Sequence, residues 1–288
     1  MPELPEVETI KRDLEEKIIN KKVRDIWVDD GFTKKVFPNL RTFLSLRGKS
    51  FRHLRRKAKL LIFETNDDLF LLNHLKMTGQ LVYREKNGRM ISGGHTMTNI
   101  EDVPNRFTRV IFSFADGAKL YFNDLRKFGF FRLVSKKDLG LELAKYGVEP
   151  LDVEFSFEFF NEYLNKKKNL RLKTILLDQK YMSGLGNIYV DESCFAAKIK
   201  PTRLVKSLSL LEKKELFKQI KKILEKAITH RGTSVNTYRG ADGEKGNFQN
   251  FLMVYGRTNE LCKRCKKAKI EAVKIGGRTT RFCPACQR

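Results

Sequence analysis

Two groups of residues in this chain have types and spacings suited to chemistry. Cys262-x-x-Cys265 and Cys283-x-x-Cys286 are close thiol pairs with 17 residues between them. Pairs separated by a hairpin length let four thiolates converge tetrahedrally on one zinc ion. Two disulfides are the alternative, and nothing in the sequence points to the oxidising compartment they need. The second group opens the chain as Met1-Pro2-Glu3. An initiator Met before a small residue is usually removed, which leaves Pro2 as a secondary amine with a pKa of roughly 8. Such an amine is substantially unprotonated near neutrality and can attack a carbonyl-like carbon to form an iminium. Glu3 and Glu6 add carboxylates for proton transfer. An ordinary initiation context is the alternative reading of those first three residues. Cys194 stands alone between apolar residues and reads as a small core side chain.

These groups need elements to hold them. Val7, Ile10, Leu14 and Ile18 recur at helical spacing and predict a first amphipathic helix, with Pro2 and Pro5 keeping the residues before it extended. Strand patterns follow at Val23 to Val28, Phe51 to Glu64, Leu69 to His74, Arg109 to Phe114, Lys119 to Phe122 and Phe130 to Val134. Asp116-Gly117 reads as a hairpin turn. Short strands punctuated by turns point to a β-sandwich with the first helix packed on it.

A composition shift at Ser135 to Pro150 leads into helices: Phe155 to Lys166, Leu170 to Gln179, Tyr189 to Ala197 and Ser209 to Thr229. In the last, Leu211, Leu216, Ile220, Leu224 and Ala227 form one stripe, and Ser209 with Glu212 has capping-box spacing. Met182 to Asn187 is a Gly-rich turn, and Arg231 to Asn250 is polar and aperiodic, as a mobile loop would be. Residues 270–282 read as a β-hairpin turning at Gly276-Gly277. The fold class expected is thus α+β and multidomain.

The 288 residues carry a formal charge of +24, with 29 basic against 20 acidic residues in 1–150 and 29 against 14 in 151–288. With 41% hydrophobic residues the chain has the material for a core, so this is a folded protein that seeks a polyanion and not a disordered polycation. No apolar run approaches the ~18 residues of a membrane span. The opening residues hold three glutamates and two prolines, unlike a secretory leader, so a cytoplasmic location is expected. Lys263, Arg264, Lys266, Lys267, Lys269, Lys274, Arg278 and Arg281 surround the cysteines, and a tip carrying Arg278 suits a nucleic-acid groove.

Several strings occur in order along the whole chain: MPELPEVET, Arg56-Lys-Ala-Lys59, His74-Leu-Lys-Met77-Thr-Gly79, Asp124-Leu-Arg126-Lys-Phe128-Gly129, Leu177-Asp-Gln179 to Gly184-Leu-Gly-Asn187-Ile-Tyr189, Val254-Tyr255-Gly-Arg257 and the two Cys-x-x-Cys pairs. Together they resemble the formamidopyrimidine-DNA glycosylase family, bacterial enzymes that remove oxidised purines such as 8-oxoguanine. The resemblance implies a catalytic β-sandwich over 1–135, a helix-two-turn-helix domain over 136–250 and a zinc finger over 251–288. It also implies a monomer acting on damaged double-stranded DNA with one structural Zn2+. By the same resemblance, Pro2 is the nucleophile at the sugar C1′, Glu3 the acid that opens the ring, and Glu6 a carboxylate that orders the site. Lys59 serves β-elimination and phosphate contact, from a strand face it would share with Arg55 and Lys57. Arg278 serves phosphate binding and δ-elimination.

A lesion inside a duplex must be flipped out to meet that amine. Met77, Arg126 and Phe128 are similar to the family's void-filling trio, with core packing as the alternative for Met77 and Phe128. Asn187 and the Gly184 to Gly186 turn resemble a phosphate clamp. His74, Lys173 and Tyr255 fall in further DNA-facing motifs, and Arg231 to Phe248 resembles the loop that caps an extruded base. Four residues depart from the family pattern: Lys76 for a common Gly, Leu125 for Pro, Phe107 for a DNA-contacting His and Asn169 for a basic residue. An endonuclease VIII-like enzyme for oxidised pyrimidines is the nearest competing reading. A non-catalytic zinc-ribbon binding protein explains the charge and the cysteines, but not Glu3, Glu6 and Lys59 beside a free Pro2.

Overall fold

The computed structural model describes residues 1–94, 102–233 and 246–288, in two compact units. One comprises Met1–Lys145 with Arg231–Asn247; the other comprises Tyr146–His230 with Phe248–Arg288.

The first unit begins with helix α1 (Leu4–Ile18), whose Leu4, Val7, Ile10, Leu14 and Ile18 are buried at three- and four-residue spacing. The expected extended lead-in is shorter than predicted. Pro5 lies inside the first helical turn, where a missing N–H costs nothing. Strand β1 (Val23–Val28), β2 (Val36–Phe37), a short helix α2 (Leu40–Leu44), β3 (Phe51–Lys57), β4 (Leu60–Thr65) and β5 (Leu69–His74) follow. Then come β6 (Gly79–Arg84), β7 (Met90–Gly94), β8 (Thr108–Phe114), β9 (Lys119–Asp124), β10 (Phe130–Ser135) and helix α3 (Lys136–Leu143). They form two five-stranded sheets, ordered β1-β8-β9-β6-β7 and β2-β10-β5-β4-β3. Phe43, Phe51, Phe63, Phe112, Phe122 and Phe131 fill the core, with Phe122 and Phe131 edge to face at 5.1 Å. The expected sandwich with its packed helix is present.

The Phe51 to Glu64 segment is two strands and not one. Ala58 takes the left-handed conformation (φ 54°), and Lys57 pairs directly with Leu60. Lys59 therefore sits in a two-residue turn, off the strand face expected to join it to Arg55 and Lys57. A Gly or Asn at position 58 would have marked the turn; Ala does not.

In the second unit, α4 (Phe157–Lys166), α5 (Leu172–Leu176), α6 (Asn187–Ala196) and α7 (Leu210–Thr229) surround a core that includes the buried Cys194. The helix expected over Leu170 to Gln179 is only the short α5. Ser209 caps α7 by the reciprocal bonds expected with Glu212, at 3.2 and 2.8 Å. Leu216, Ile220, Leu224 and Ala227 are buried along α7, but Leu211 is 77% exposed and drops out of the stripe. The neighbouring Lys213 is buried instead, its ammonium satisfied by Asn165 Oδ1 at 2.6 Å. Strands β11 (Glu271–Ile275) and β12 (Arg278–Phe282) form the expected hairpin, with Gly276 and Gly277 both at positive φ as a tight two-residue turn requires.

Candidate functional site

Glu3 is the N-cap of α1 and Glu6 its third residue, so the two carboxylates are placed by a capping box. The backbone N–H of Glu3 donates to Glu6 Oε2 at 2.8 Å. Glu3 is 3% exposed and Pro2 is buried beside it. Glu6 is held from its other side, since Oε1 accepts the Thr233 N–H at 2.7 Å and the Thr233 hydroxyl at 2.9 Å. Gly232, at φ 75°, makes that approach possible; a Cβ there would lie 2.8 Å from Glu6 Oε1. Asp13, two turns along α1 from Glu6, receives Arg231 at 2.7 and 2.8 Å, so residues 231–233 are fastened at two points on one helix. Most of the expected base-capping loop, residues 234–245, lies outside the described residues.

The turn holding Lys59 is braced by Arg56, which donates to the Ala58 carbonyl at 3.0 Å and to Glu8 of α1 at 2.9 Å. Burial pushes the Glu8 carboxyl up, but hydrogen bonds and charge from Arg56 and then Arg12 outweigh it and hold Glu8 below the usual range. The arginine thus links helix and turn. Lys59 itself is 5% exposed.

His74, at the end of β5, is neutral. Burial, then the charges of Lys76 and Lys59, depress its pKa to about 3, and its Nδ1 accepts the Lys76 N–H at 3.0 Å. A histidine buried neutral binds more protons when unfolded, so it opposes stability as pH falls from about 6.5 towards 3. Across pH 4–6 the contribution is close to one proton, about 1.4 kcal/mol per pH unit. His74→Gln is expected to flatten the pH dependence of the urea midpoint in that window. An unchanged slope would show that His74 is charged in the fold.

Met77, Arg126 and Phe128 stand at the surface, with Met77 40% and Phe128 47% exposed. Core packing therefore does not explain them. Arg126 lies over the Phe128 ring at 4.5 Å. Sequence reasoning missed what joins them. Buried Asp124 accepts the Thr78 hydroxyl and the N–H groups of Arg126 (3.2 Å) and Gly129 (2.7 Å), while Thr78 Oγ1 accepts the Arg126 N–H at 3.0 Å. One carboxylate thereby ties the Met77 turn to the turn carrying Arg126 and Phe128. The Thr and Asp were visible only as parts of longer strings.

In the second unit Arg278 is exposed at the start of β12, beside the glycine turn. Asn187 donates through Nδ2 to the Thr279 carbonyl at 3.0 Å, so its amide N–H grips the hairpin next to Arg278. Tyr255 is covered by Arg281, whose guanidinium lies 4.7 Å from the ring centre. Its N–H, with those of Met253 and Val254, donates to buried Glu192 at 2.8 to 3.1 Å. Lys173 corrects an expectation. It is fully buried, and its ammonium donates to Asp191 at 2.6 Å and to the Thr279 carbonyl at 3.1 Å, so it faces inward and not towards DNA. Nothing in its spacing distinguished a buried lysine from an exposed one.

The four hairpin cysteines are unbonded to one another, with all Sγ atoms within 4.8 Å. Two edges, Cys262 to Cys286 and Cys265 to Cys283, are 3.7 Å. A tetrahedron of thiolates at about 2.3 Å from a metal has edges of about 3.8 Å, so the set fits such an ion. Backbone N–H groups of Ala268 and Lys267 lower the Cys265 pKa to about 6, favouring the thiolate a metal needs.

Known proteins match this chain throughout. Residues 1–131 match the formamidopyrimidine-DNA glycosylase N-terminal domain model, and residues 146–239 the H2TH domain model of the same enzymes. A formamidopyrimidine-DNA glycosylase of Cytobacillus firmus is 42% identical over all of both chains, and one from Shouchella clausii is 40% identical over the whole of this chain and 99% of its own. Among solved structures, the Lactococcus lactis Fpg complex with DNA containing an abasic site has a TM-score of 0.87 at 35% identity, covering both chains fully. A variant of that Lactococcus lactis protein, bound to DNA containing Fapy-dG, has the same TM-score and identity.

Proposed function

Because the chain belongs to the formamidopyrimidine-DNA glycosylase family, whose members are bifunctional glycosylases and AP lyases of base excision repair, we propose that it excises oxidised purines from duplex DNA through Pro2. The observation that carries this reading is the buried Glu3 carboxyl one residue after Pro2, on a segment whose backbone Glu6 fixes. After removal of Met1, the Pro2 nitrogen donates its lone pair to form a bond to C1′ as the bond to the base breaks; the base departs with the electron pair of the broken bond and takes up the proton that the amine gives up. Glu3 protonates the ring oxygen as the sugar opens, leaving an iminium between Pro2 and C1′. Loss of a C2′ proton then expels the 3′ phosphate, and a second elimination expels the 5′ phosphate. We assign Lys59 to the first elimination and Arg278 to the second, with Glu6 ordering the site.

Met77, Arg126 and Phe128 fill the gap left by the flipped nucleotide, and Arg126 meets the orphaned cytosine. Phosphates are held by the exposed basic groups of each unit and by the N-terminus of α6 at Asn187. The sandwich, 1–135, carries the chemistry; 136–250 and 251–288 supply the helical and hairpin DNA contacts. The metal is zinc, which on binding would hold the four cysteine thiolates and so stiffen the hairpin under Arg278. The protein acts as a monomer on damaged DNA in the cytoplasm; among the described residues no helix is long and apolar enough to cross a membrane.

Borohydride trapping tests the assignment, using protein shown by mass to lack Met1 and duplexes carrying 8-oxoguanine opposite cytosine or an oxidised pyrimidine. A covalent adduct on the purine duplex, mapped to the Pro2 peptide, is expected. No adduct on either duplex would sink the enzyme reading, and preference for the pyrimidine would favour an endonuclease VIII-like specificity. Cys265→Ser is expected to lose zinc and weaken duplex binding together, because metal binding and local folding are coupled. Unchanged zinc content and affinity would contradict that.

A further inference from the structure

Lys76 keeps a side chain where glycine would be more comfortable. Its φ is 52°, in the left-handed region that Cβ disfavours. Its N–H is engaged by His74 Nδ1, and its ammonium lies 5.7 Å from the Phe130 ring centre. Among the described residues it forms no ion pair, and neither does Lys35.

The strand register places Lys35 and Lys76 together. Leu60 at the start of β4 pairs with His74, His74 pairs with Phe130 at the start of β10, and Phe131 pairs with Val36 at the start of β2. Leu60, His74, Phe130 and Lys35 thus lie at one level across four adjacent strands, at one end of the sheet, with Lys59 in the turn that leads into Leu60. Lys76 follows His74 by two residues, over the same Phe130 ring, and Phe37 meets that ring edge-on at 6.3 Å. Burial and then the charge of Lys35 lower the Lys76 pKa, as expected where one ammonium faces another. The ammonium groups of Lys35 and Lys76, kept close and in no ion pair among the described residues, suit an anion, and the spread of the lysines along the sheet end defines its shape. Three strand spacings of about 4.8 Å give about 14 Å, a length over which one strand of duplex carries roughly four phosphates.

Resting on the proposed reading of the chain as a DNA-acting enzyme, we infer that Lys35 and Lys76 extend the anion track from Lys59 along this end of the sheet and contact the backbone phosphates of one DNA strand beside the Met77 wedge.

The test is equilibrium binding of the full chain to a duplex containing a tetrahydrofuran abasic analogue, from 50 to 200 mM KCl. Each neutralised phosphate contributes about 0.9 to the slope of log affinity against log salt. Lys35→Gln and Lys76→Gln are each expected to reduce the slope by about 0.9, and the double variant by about 1.8. Each single variant then loses roughly 3- to 4-fold less affinity over that salt range than the wild type. Lys76→Arg should restore the slope, and Lys86→Gln, exposed on the other sheet's β6-β7 turn, should leave it unchanged. Lys76→Gly should flatten the slope without lowering Tm, which separates a phosphate contact from a structural role. Unchanged slopes in the double variant, or an equal fall in Lys86→Gln, would overturn the inference while wild-type binding leaves the proposed function standing. A wild type that neither binds the duplex nor forms an adduct would sink both.

Discussion

Glu3→Gln is expected to lower base excision by about 10²- to 10⁴-fold, the range associated with a lost general acid. The same variant should retain most of its cleavage of a preformed abasic site. The distinction follows from the proposed chemistry. Expelling the base requires the sugar ring to open against a poor leaving group, and the ring oxygen needs a proton at that moment. An abasic sugar already equilibrates with its aldehyde, which the Pro2 amine can attack without that help. The fold should be unaffected, because the capping contact made by Glu3 with Glu6 uses its backbone N–H, and a glutamine oxygen still accepts in the other half of the box. Single-turnover excision of 8-oxoguanine, compared with strand cleavage at an abasic site, makes the measurement. Equal loss in both assays would remove Glu3 as the ring-opening acid and leave it a general positioning group.

Lys173→Met should cost about 3–5 kcal/mol of stability in the second unit, the penalty of leaving one member of a buried ion pair without its partner. Both side chains are fully buried. Burial pushes the Asp191 carboxyl up and the Lys173 ammonium down, and their mutual hydrogen bond opposes both shifts. Asp191 also accepts the Arg281 N–H at 3.0 Å, so an uncompensated carboxylate would sit against the hairpin backbone. Urea unfolding measures the cost, and duplex affinity is expected to fall with it because the Thr279 carbonyl next to Arg278 loses one of two donors. Lys173→Met with Asp191→Leu should recover at least half of the loss, since removing both charges removes the desolvation penalty. A single variant as stable as the wild type would show that the pair is not ionised.

The parts of the architecture that were legible share a strong local signature. Regular apolar spacing located α1 and the later part of α7, and the cysteine pairs marked the four-thiol cluster. The Asp116-Gly117 and Gly276-Gly277 turns carried their own chemistry. What was illegible depended on residues that break a local rule for a distant reason. Ala58 adopts a left-handed turn without being glycine, and Arg56 compensates by binding its carbonyl. Lys173 and Lys213 are buried cations whose partners, Asp191 and Asn165, are 18 and 48 residues away. The Thr78 and Asp124 pair spans 46 residues and could be found only once β6 and β9 were seen side by side. Leu211 lies five residues before Leu216, which turns it off the buried face of α7, and Lys213, three residues before Leu216, takes the place on that face.

Helix α6 carries two adjacent acids with separate tasks. Asp191 holds β12 through the Arg281 N–H, and Glu192 gathers the N–H groups of Met253, Val254 and Tyr255. Neighbours on a helix point about 100° apart, so one turn serves two stretches of chain on different sides. The arrangement fixes the phase of the helix as well as its position. A single-residue insertion or deletion upstream within α6 would rotate both carboxylates off their targets at once, and no one substitution elsewhere could restore the two together. Along this turn the chain should tolerate exchanges of surface side chains but not changes in length, even though substrate chemistry is carried out elsewhere.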